Sequence, residues 1–174
     1  MAIPKDWVTH VHKNGDFIAW KPRKEIHDNM LIHRSINVFV LHPDGRLLLQ
    51  QRAANKRTFP LYWDISCSGH VDYEDHPNGD PHACTEAFLS AATREIQEEL
   101  GIDSPLSPIG EYPPFEGVNI ERSMFYSVVC AGPFVLQQEE VAQVRWVSRD
   151  EFQSLHPKTP LLNHSIRHVL SWLD

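Results

Sequence analysis

The sequence predicts an α/β protein, a sandwich built on a mixed sheet with a β-hairpin at its start. Two observations carry this. Several short apolar-rich runs are separated by Asn-Gly and Pro-Asp-Gly turn signals, and a single long segment shows clean helical periodicity.

The elements follow in chain order. Trp7–Val11 and Phe17–Trp20 flank Lys13-Asn14-Gly15-Asp16, and an Asn-Gly pair between apolar alternations predicts a hairpin. Ile36–Leu41 and Leu47–Gln51 flank His42-Pro43-Asp44-Gly45 and predict a second, more apolar and more central hairpin. Arg52–Tyr62 is polar and contains Pro60, so it reads as an ordered loop. A short strand at Trp63–Cys67 follows, closed by Gly69. Val71–Pro81 is acidic, turn-rich and aperiodic, and is expected to be an exposed loop. Phe88, Leu89, Ala92, Ile96 and Leu100 recur at helical spacing and Gly101 supplies a stop, which predicts a helix over about 83–100. Beyond it come a Pro- and Gly-containing loop at 111–118, strands at Met124–Cys130 and Val141–Val147, a helix start at Ser148-Arg149-Asp150-Glu151, and an amphipathic helix over about 163–173.

Composition narrows the function classes. At 174 residues the chain suits one domain spanning 1–174, with no second domain required. Its 41% hydrophobic content includes no run long enough to cross a bilayer, so no membrane span is expected. The start of the chain lacks a secretory pattern, which predicts a cytoplasmic protein. Cys67, Cys84 and Cys130 form no close pair and are expected to be free thiols. A net charge of −7 argues against nucleic acid as a partner, because that binding rests on many cations neutralising phosphates. A small phosphorylated substrate remains compatible, in a monomer or a homodimer. The 11 histidines invite a metal, although scattered histidines are usually surface or hydrogen-bonded structural residues.

Glu95, Glu98 and Glu99 are three and four positions apart, and on a helix this spacing predicts one carboxylate-lined face. Their mutual repulsion destabilises the chain unless a cation sits among them, and hard oxygen donors select Mg²⁺ or Mn²⁺. A solvated charged face is the alternative, and the surrounding pattern decides. That pattern is Glu86, seven residues, Arg94-Glu95-Ile96-Gln97-Glu98-Glu99-Leu100-Gly101-Ile102. Arg94 is placed to pair with a carboxylate and hold its orientation.

This segment resembles the Nudix hydrolase signature, G-x5-E-x7-R-E-U-x-E-E-x-G-U with U apolar, and is complete from Glu86 to Ile102. The first glycine is displaced. Its match is Gly69, in Ser68-Gly69-His70-Val71, and a 71–82 inserted loop accounts for the extra distance to Glu86; Gly79, one residue off the expected spacing and in a turn setting, is rejected. Weaker matches run along the chain: His33-Arg34, Leu47–Arg52, Phe59-Pro60, Trp63, Gly132-Pro133-Phe134, Glu139-Glu140-Val141 and Trp146-Val147. They resemble a Nudix subgroup that shares an N-terminal region with isopentenyl diphosphate isomerase, residues 1–32 here forming a hairpin extension packed on the domain.

The resemblance implies a Nudix-type α/β/α sandwich and a metal-dependent hydrolase cleaving a diphosphate linkage in a nucleoside diphosphate derivative or similar compound. It implies that Glu95, Glu98, Glu99 and the Gly69 carbonyl hold Mg²⁺, with Mn²⁺ possible, and that a water attacks phosphorus in line. Glu95 or Glu140 would orient or deprotonate that water. Glu116 and Glu121 read more readily as surface carboxylates. Arg52 and Lys56 would contact phosphates, or form salt bridges. Trp20, Phe115, Tyr126 and Phe134 would stack on a base, or fill the core.

Two other functions fit the resemblance. An isomerase-like proton-transfer enzyme is suggested by His33 and His70, which fall where that family has metal-site histidines. Against it, Ser68 stands where those enzymes have a cysteine, and Cys67, one residue earlier, is expected to face the other side as a packing residue. A non-catalytic Nudix-fold binding protein is disfavoured because no signature carboxylate is missing.

Overall fold

The computed structural model describes residues 3–114 and 120–155. Its elements are β1 (Trp7–Val11), β2 (Phe17–Pro22), α1 (Arg23–Asp28), β3 (His33–Leu41), β4 (Leu47–Arg52), β5 (Trp63–Asp64), β6 (Cys67–His70), α2 (Cys84–Leu100), β7 (Ser107–Tyr112), β8 (Glu121–Val129), β9 (Val141–Val147) and α3 (Arg149–Leu155). The chain divides into two compact units. One comprises Met1–Asn37, Ser68–Arg94 and Pro108–Tyr126; the other comprises Val38–Cys67, Glu95–Ser107 and Ser127–Asp174.

In the first unit β1 and β2 form the expected antiparallel hairpin, with a bulge between His10 and Val11. Gly15 sits at φ 98°, a conformation that favours glycine, and the Arg122 side chain lies over it. β1 continues antiparallel onto β3, His10 opposite His33. β8 runs parallel to β3, since the His33 amide bonds the Ile120 carbonyl and the Ser35 and Ser123 hydroxyls meet at 2.6 Å. The sheet is therefore mixed, as expected.

In the second unit β3 turns antiparallel into β4, and β4 pairs β9 from Leu47↔Val147 to Arg52↔Val141. Val38, Phe39, Val40, Leu47, Leu48 and Leu49 are buried, which makes this the apolar centre that their composition predicts. The Ser148 amide bonds the Glu151 carboxylate and the Glu151 amide bonds the Ser148 hydroxyl, a capping box that starts α3.

Several expectations are corrected. The strand at Trp63–Cys67 is two strands, and Gly69 lies inside the second rather than closing the first. Local side-chain bonds interrupt the ladder: Asp64 Oδ1 accepts from the Ile65 amide, and the Ser66 hydroxyl bonds both Leu48 and Val40 backbone. Leu89 is 44% exposed, while Ala87 and Ala91 complete the buried stripe of α2. Two elements were not foreseen. α1 is a turn and a half of Arg-Lys-Glu-Ile-His-Asp that buries only Ile26, too short to show a period. β7 contains Pro108 and Gly110 and pairs β8; it includes Glu111 and Tyr112, which the sequence places in a loop.

The largest correction concerns 71–82. This segment is no exposed loop: it folds into 3₁₀ turns at Tyr73–Asp75 and Pro77–Gly79, and Val71, Asp72, Asp75 and His76 are buried. Hydropathy misleads here because these carboxylates are buried against arginines, a pairing between distant segments. The expected helix at 163–173 lies outside the described residues, as do Phe115 and Glu116.

Candidate functional site

Two clusters of metal-ligand chemistry stand out, one in each unit. The first is on the C-terminal half of α2. Residues 98 and 99 are separated by about 100° around a helix, so the face that Glu95, Glu98 and Glu99 share is a broad one. Glu99 points inward and is buried, Glu95 lies at the boundary, and Glu98 is exposed; the single carboxylate face expected from spacing is thus spread over a wide arc.

Glu99 is a strongly perturbed acid. Burial pushes its pKa up to about 8, and the neighbouring charges of Glu95 and Glu140 push in the same direction. Gln50 donates its amide N–H to Glu99 Oε2 at 3.2 Å, and the Cys67 thiol also bonds this carboxylate. Neither donor carries positive charge. Burying a carboxylate among like charges is unfavourable unless a cation is shared between them, so this donor set fits a divalent ion. Cys67 is fully buried, as a packing residue should be, yet it lies against the carboxylates; burial and the Glu99 and Glu95 charges hold its thiol well above the ordinary range.

Glu140 stands at the turn before β9, where its carbonyl accepts from the Ala53 amide at 2.9 Å. Its side chain is paired with Lys56. Arg52 donates to the Thr58 carbonyl at 3.2 Å and lies 3.9 Å from Asp64. Both cations thus have the salt-bridge role that the sequence left open, within the unit that carries Glu95, Glu98 and Glu99.

Gly69 lies in the other unit, half-buried on β6. Arg94, too, is in that unit, and its fork grips Asp75 through Nε (3.0 Å) and Nη2 (2.8 Å). Of the aromatic candidates, Trp20 packs edge-on against Tyr73 and His76, Tyr126 is buried, and Phe134 leans on Trp146. Tyr126 therefore serves the core, while Trp20 and Phe134 are half-buried against their ring partners.

The second cluster is His27, His33 and His70, from α1, β3 and β6. One nitrogen from each lies within 4.8 Å of the others, and among the described residues no other set of three ligand side chains is so tight. The Nε2 atoms of His27 and His70 are 3.0 Å apart, and the His33 ring stacks on that of His70. His33 Nδ1 bonds the Leu31 carbonyl at 2.9 Å, which places the proton on Nδ1 and leaves Nε2 a bare lone pair. That Nε2 is buried without a hydrogen-bond partner, 3.9 Å from Glu121 Oε1. Burial lowers the His33 pKa, with Glu121 opposing, so the ring is neutral. Nitrogens around one tetrahedral zinc would stand roughly 3.3 Å apart, so the set fits a d-block ion. The sequence pointed to His33 and His70. His27 was missed: it sits on an unforeseen short helix, and no fixed spacing links it to the other two.

A profile of the NUDIX domain family matches residues 31–173. The Nudix hydrolase YfcD of Escherichia coli strain K12 is 31% identical over 148 residues, covering 84% of this chain and 76% of that protein. The chloroplastic isopentenyl-diphosphate Delta-isomerase I of Arabidopsis thaliana is 29% identical over 155 residues, covering 83% of this chain but 53% of that protein. Among solved structures, DR0079 from Deinococcus radiodurans superposes with a TM-score of 0.71 at 17% identity, covering 88% of this chain and 90% of that one, which shows a shared fold. No helix among the described residues is long and apolar enough to cross a membrane. With the α/β/α Nudix sandwich and the intact Arg94–Ile102 signature, the chain belongs to the Nudix family and is a hydrolase acting on diphosphate bonds.

Proposed function

We propose that the protein is a Mg²⁺-dependent hydrolase of a diphosphate linkage in a nucleoside diphosphate derivative or a chemically similar compound. The observation that carries this reading is the buried Glu99 carboxylate, set among the charges of Glu95 and Glu140 with no cationic hydrogen-bond donor among the described residues. Glu95, Glu98 and Glu99 would hold the ion, and Mn²⁺ suits the same donors. When bound, the ion supplies charge neutralisation at the phosphoryl oxygens.

The remaining work falls to side chains. Glu99, once deprotonated, accepts from Gln50, which fixes the direction of its free oxygen. Lys56 and Arg52 bind phosphate oxygens, Lys56 exchanging its Glu140 partner for the substrate. Glu140, released, or Glu95 orients the attacking water and takes its proton. Arg94 positions the start of the carboxylate run. We read residues 1–174 as one domain, with 1–32 a hairpin extension and 71–82 an insertion, working in the cytoplasm as a monomer or homodimer.

The test is a panel of diphosphates, sugar-linked, dinucleotide and isoprenyl, assayed with and without Mg²⁺ and analysed for products. Cleavage of a phosphoanhydride only with the metal supports the reading; equal turnover in a chelator overturns it.

The His27–His33–His70 set favours a second metal there, of d-block type, because a buried unpartnered imidazole nitrogen faces two others. This also keeps open an isomerase-like proton transfer, given the isomerases among the relatives. Conversion of isopentenyl diphosphate to its isomer without release of phosphate would favour that reaction; phosphate release would exclude it as the main activity.

A further inference from the structure

The 71–82 segment contains more buried ionic chemistry than a surface insertion needs, divided between Arg94 and Arg23. Asp75 is 2% exposed at its side chain and takes the Arg94 fork on both oxygens. Its Oδ2 also accepts from the Asp72 amide at 2.8 Å, and the Ser90 hydroxyl stands 3.5 Å from Oδ1. Behind it, Asp72 is held by Arg23 at 2.8 and 2.9 Å and lies 3.6 Å from Arg94. Arg94 Nη2 also reaches the His70 carbonyl at 3.3 Å.

The segment is braced rather than hinged. Tyr73 covers Gly79 so closely that a Cβ there would fall 2.3 Å from its hydroxyl. Trp20 packs edge-on against Tyr73 and His76 at 4.9 Å each, and Arg34 donates to the Pro81 carbonyl at 2.8 Å. Such packing does not suit a lid that opens for substrate.

The sequence spacing gains a second meaning here. Asp75 stands six residues after Gly69, where the uninterrupted signature has its glutamate. Glu86, which keeps the signature's distance to Arg94, is exposed on α2 two turns earlier, roughly 12 Å along the axis from Arg94.

We infer that Asp75, and not Glu86, is the positioning residue that fixes Arg94 and, through it, the adjacent Glu95 on α2. The insertion thus braces α2 through Arg94. A bidentate pair removes the rotational freedom of the guanidinium and orients it, whereas an exposed carboxylate on the same helix does neither. The inference rests on the proposed binding of Mg²⁺ by the α2 carboxylates.

The test compares D75N, D75E and E86Q with wild type by calorimetric titration with Mg²⁺ alone, by thermal melting, and by turnover of whichever diphosphate the wild type cleaves. D75N is expected to weaken Mg²⁺ binding and lower kcat about tenfold, the scale of removing the support behind a metal ligand. D75E, which keeps the charge but moves it by a methylene, is expected to recover part of both, and E86Q to match wild type. In an R94Q background D75N should add nothing, because both changes remove the same pair. Wild-type Mg²⁺ affinity in D75N, multiplying losses in the double variant, or an E86Q loss equal to that of D75N would overturn the inference. If D75N fails to fold, D75E decides: Mg²⁺ binding and kcat both equal to wild type would overturn it. A wild type that binds no Mg²⁺ overturns the hydrolase reading itself, a separate outcome visible in the first titration.

Discussion

The carboxylates of α2 and the imidazoles of the other unit respond to burial in opposite directions. Glu99 is an acid, so burial raises its pKa to about 8 and leaves it protonated at neutral pH; His33 is a base, so burial lowers its pKa and leaves it neutral with a bare Nε2. Glu99 must therefore release a proton to take an ion, while His33 already presents a bare nitrogen. Hard oxygen donors and borderline nitrogen donors add a second contrast, in the class of ion that each would favour. Two metal-ligand sets in one chain can thus differ in metal, in pH dependence and in consequence.

The sharpest way to break this comparison is Glu99→Gln. It keeps the volume and the bond to Gln50 but removes the charge, and it is expected to leave the fold intact while lowering turnover at least about a hundredfold. Steady-state kinetics beside a melting curve checks it. A comparable loss from a variant of the histidine set would erase the distinction between the two sites.

Next in size is His33→Asn. After incubation with zinc and dialysis, elemental analysis is expected to find about one equivalent in wild type and almost none in the variant, because three imidazoles reduced to two no longer close a site. Mg²⁺-dependent hydrolysis should fall much less than in Glu99→Gln.

The pH dependence separates the sites without mutation. Glu99 has a folded pKa above its ordinary value, so its protonated form stabilises the metal-free protein fully below pH 4.5, and that contribution is lost as pH rises towards about 8. The slope reaches at most ~1.4 kcal/mol per pH unit. Thermal melting in chelator should therefore decline across this window, and saturating Mg²⁺ should flatten the decline; an unchanged slope with Mg²⁺ would argue that the ion binds elsewhere.

The smallest effect is expected from Lys56→Met. Its partly exposed pair with Glu140 contributes under about 1 kcal/mol, so melting should hardly move. Taking one cation away from the substrate phosphates should raise KM about tenfold, at a cost of ~1.4 kcal/mol, with kcat little changed. Steady-state kinetics over a range of substrate concentrations separates the two constants.

What the sequence revealed follows from how local each feature is. The α2 signature lies in one stretch of chain, and helical periodicity with Gly101 as a stop located it directly. The hairpins were legible because Asn14-Gly15 and Asp44-Gly45 dictate turns. The histidine set is assembled from α1, β3 and β6, so His27 has no local signal. Asp72 and Asp75 looked solvated for the same reason, since Arg23 and Arg94 are far away along the chain. Cys67 was read correctly as buried, but its bond to Glu99 depends on tertiary packing that residue type cannot announce.

The most direct measurement is a crystal structure with Mg²⁺ and a nonhydrolysable diphosphate. In that structure Glu95 and Glu99 are expected to hold an ion beside the bound diphosphate. A diphosphate bound far from α2, with those carboxylates bare of metal, would contradict it.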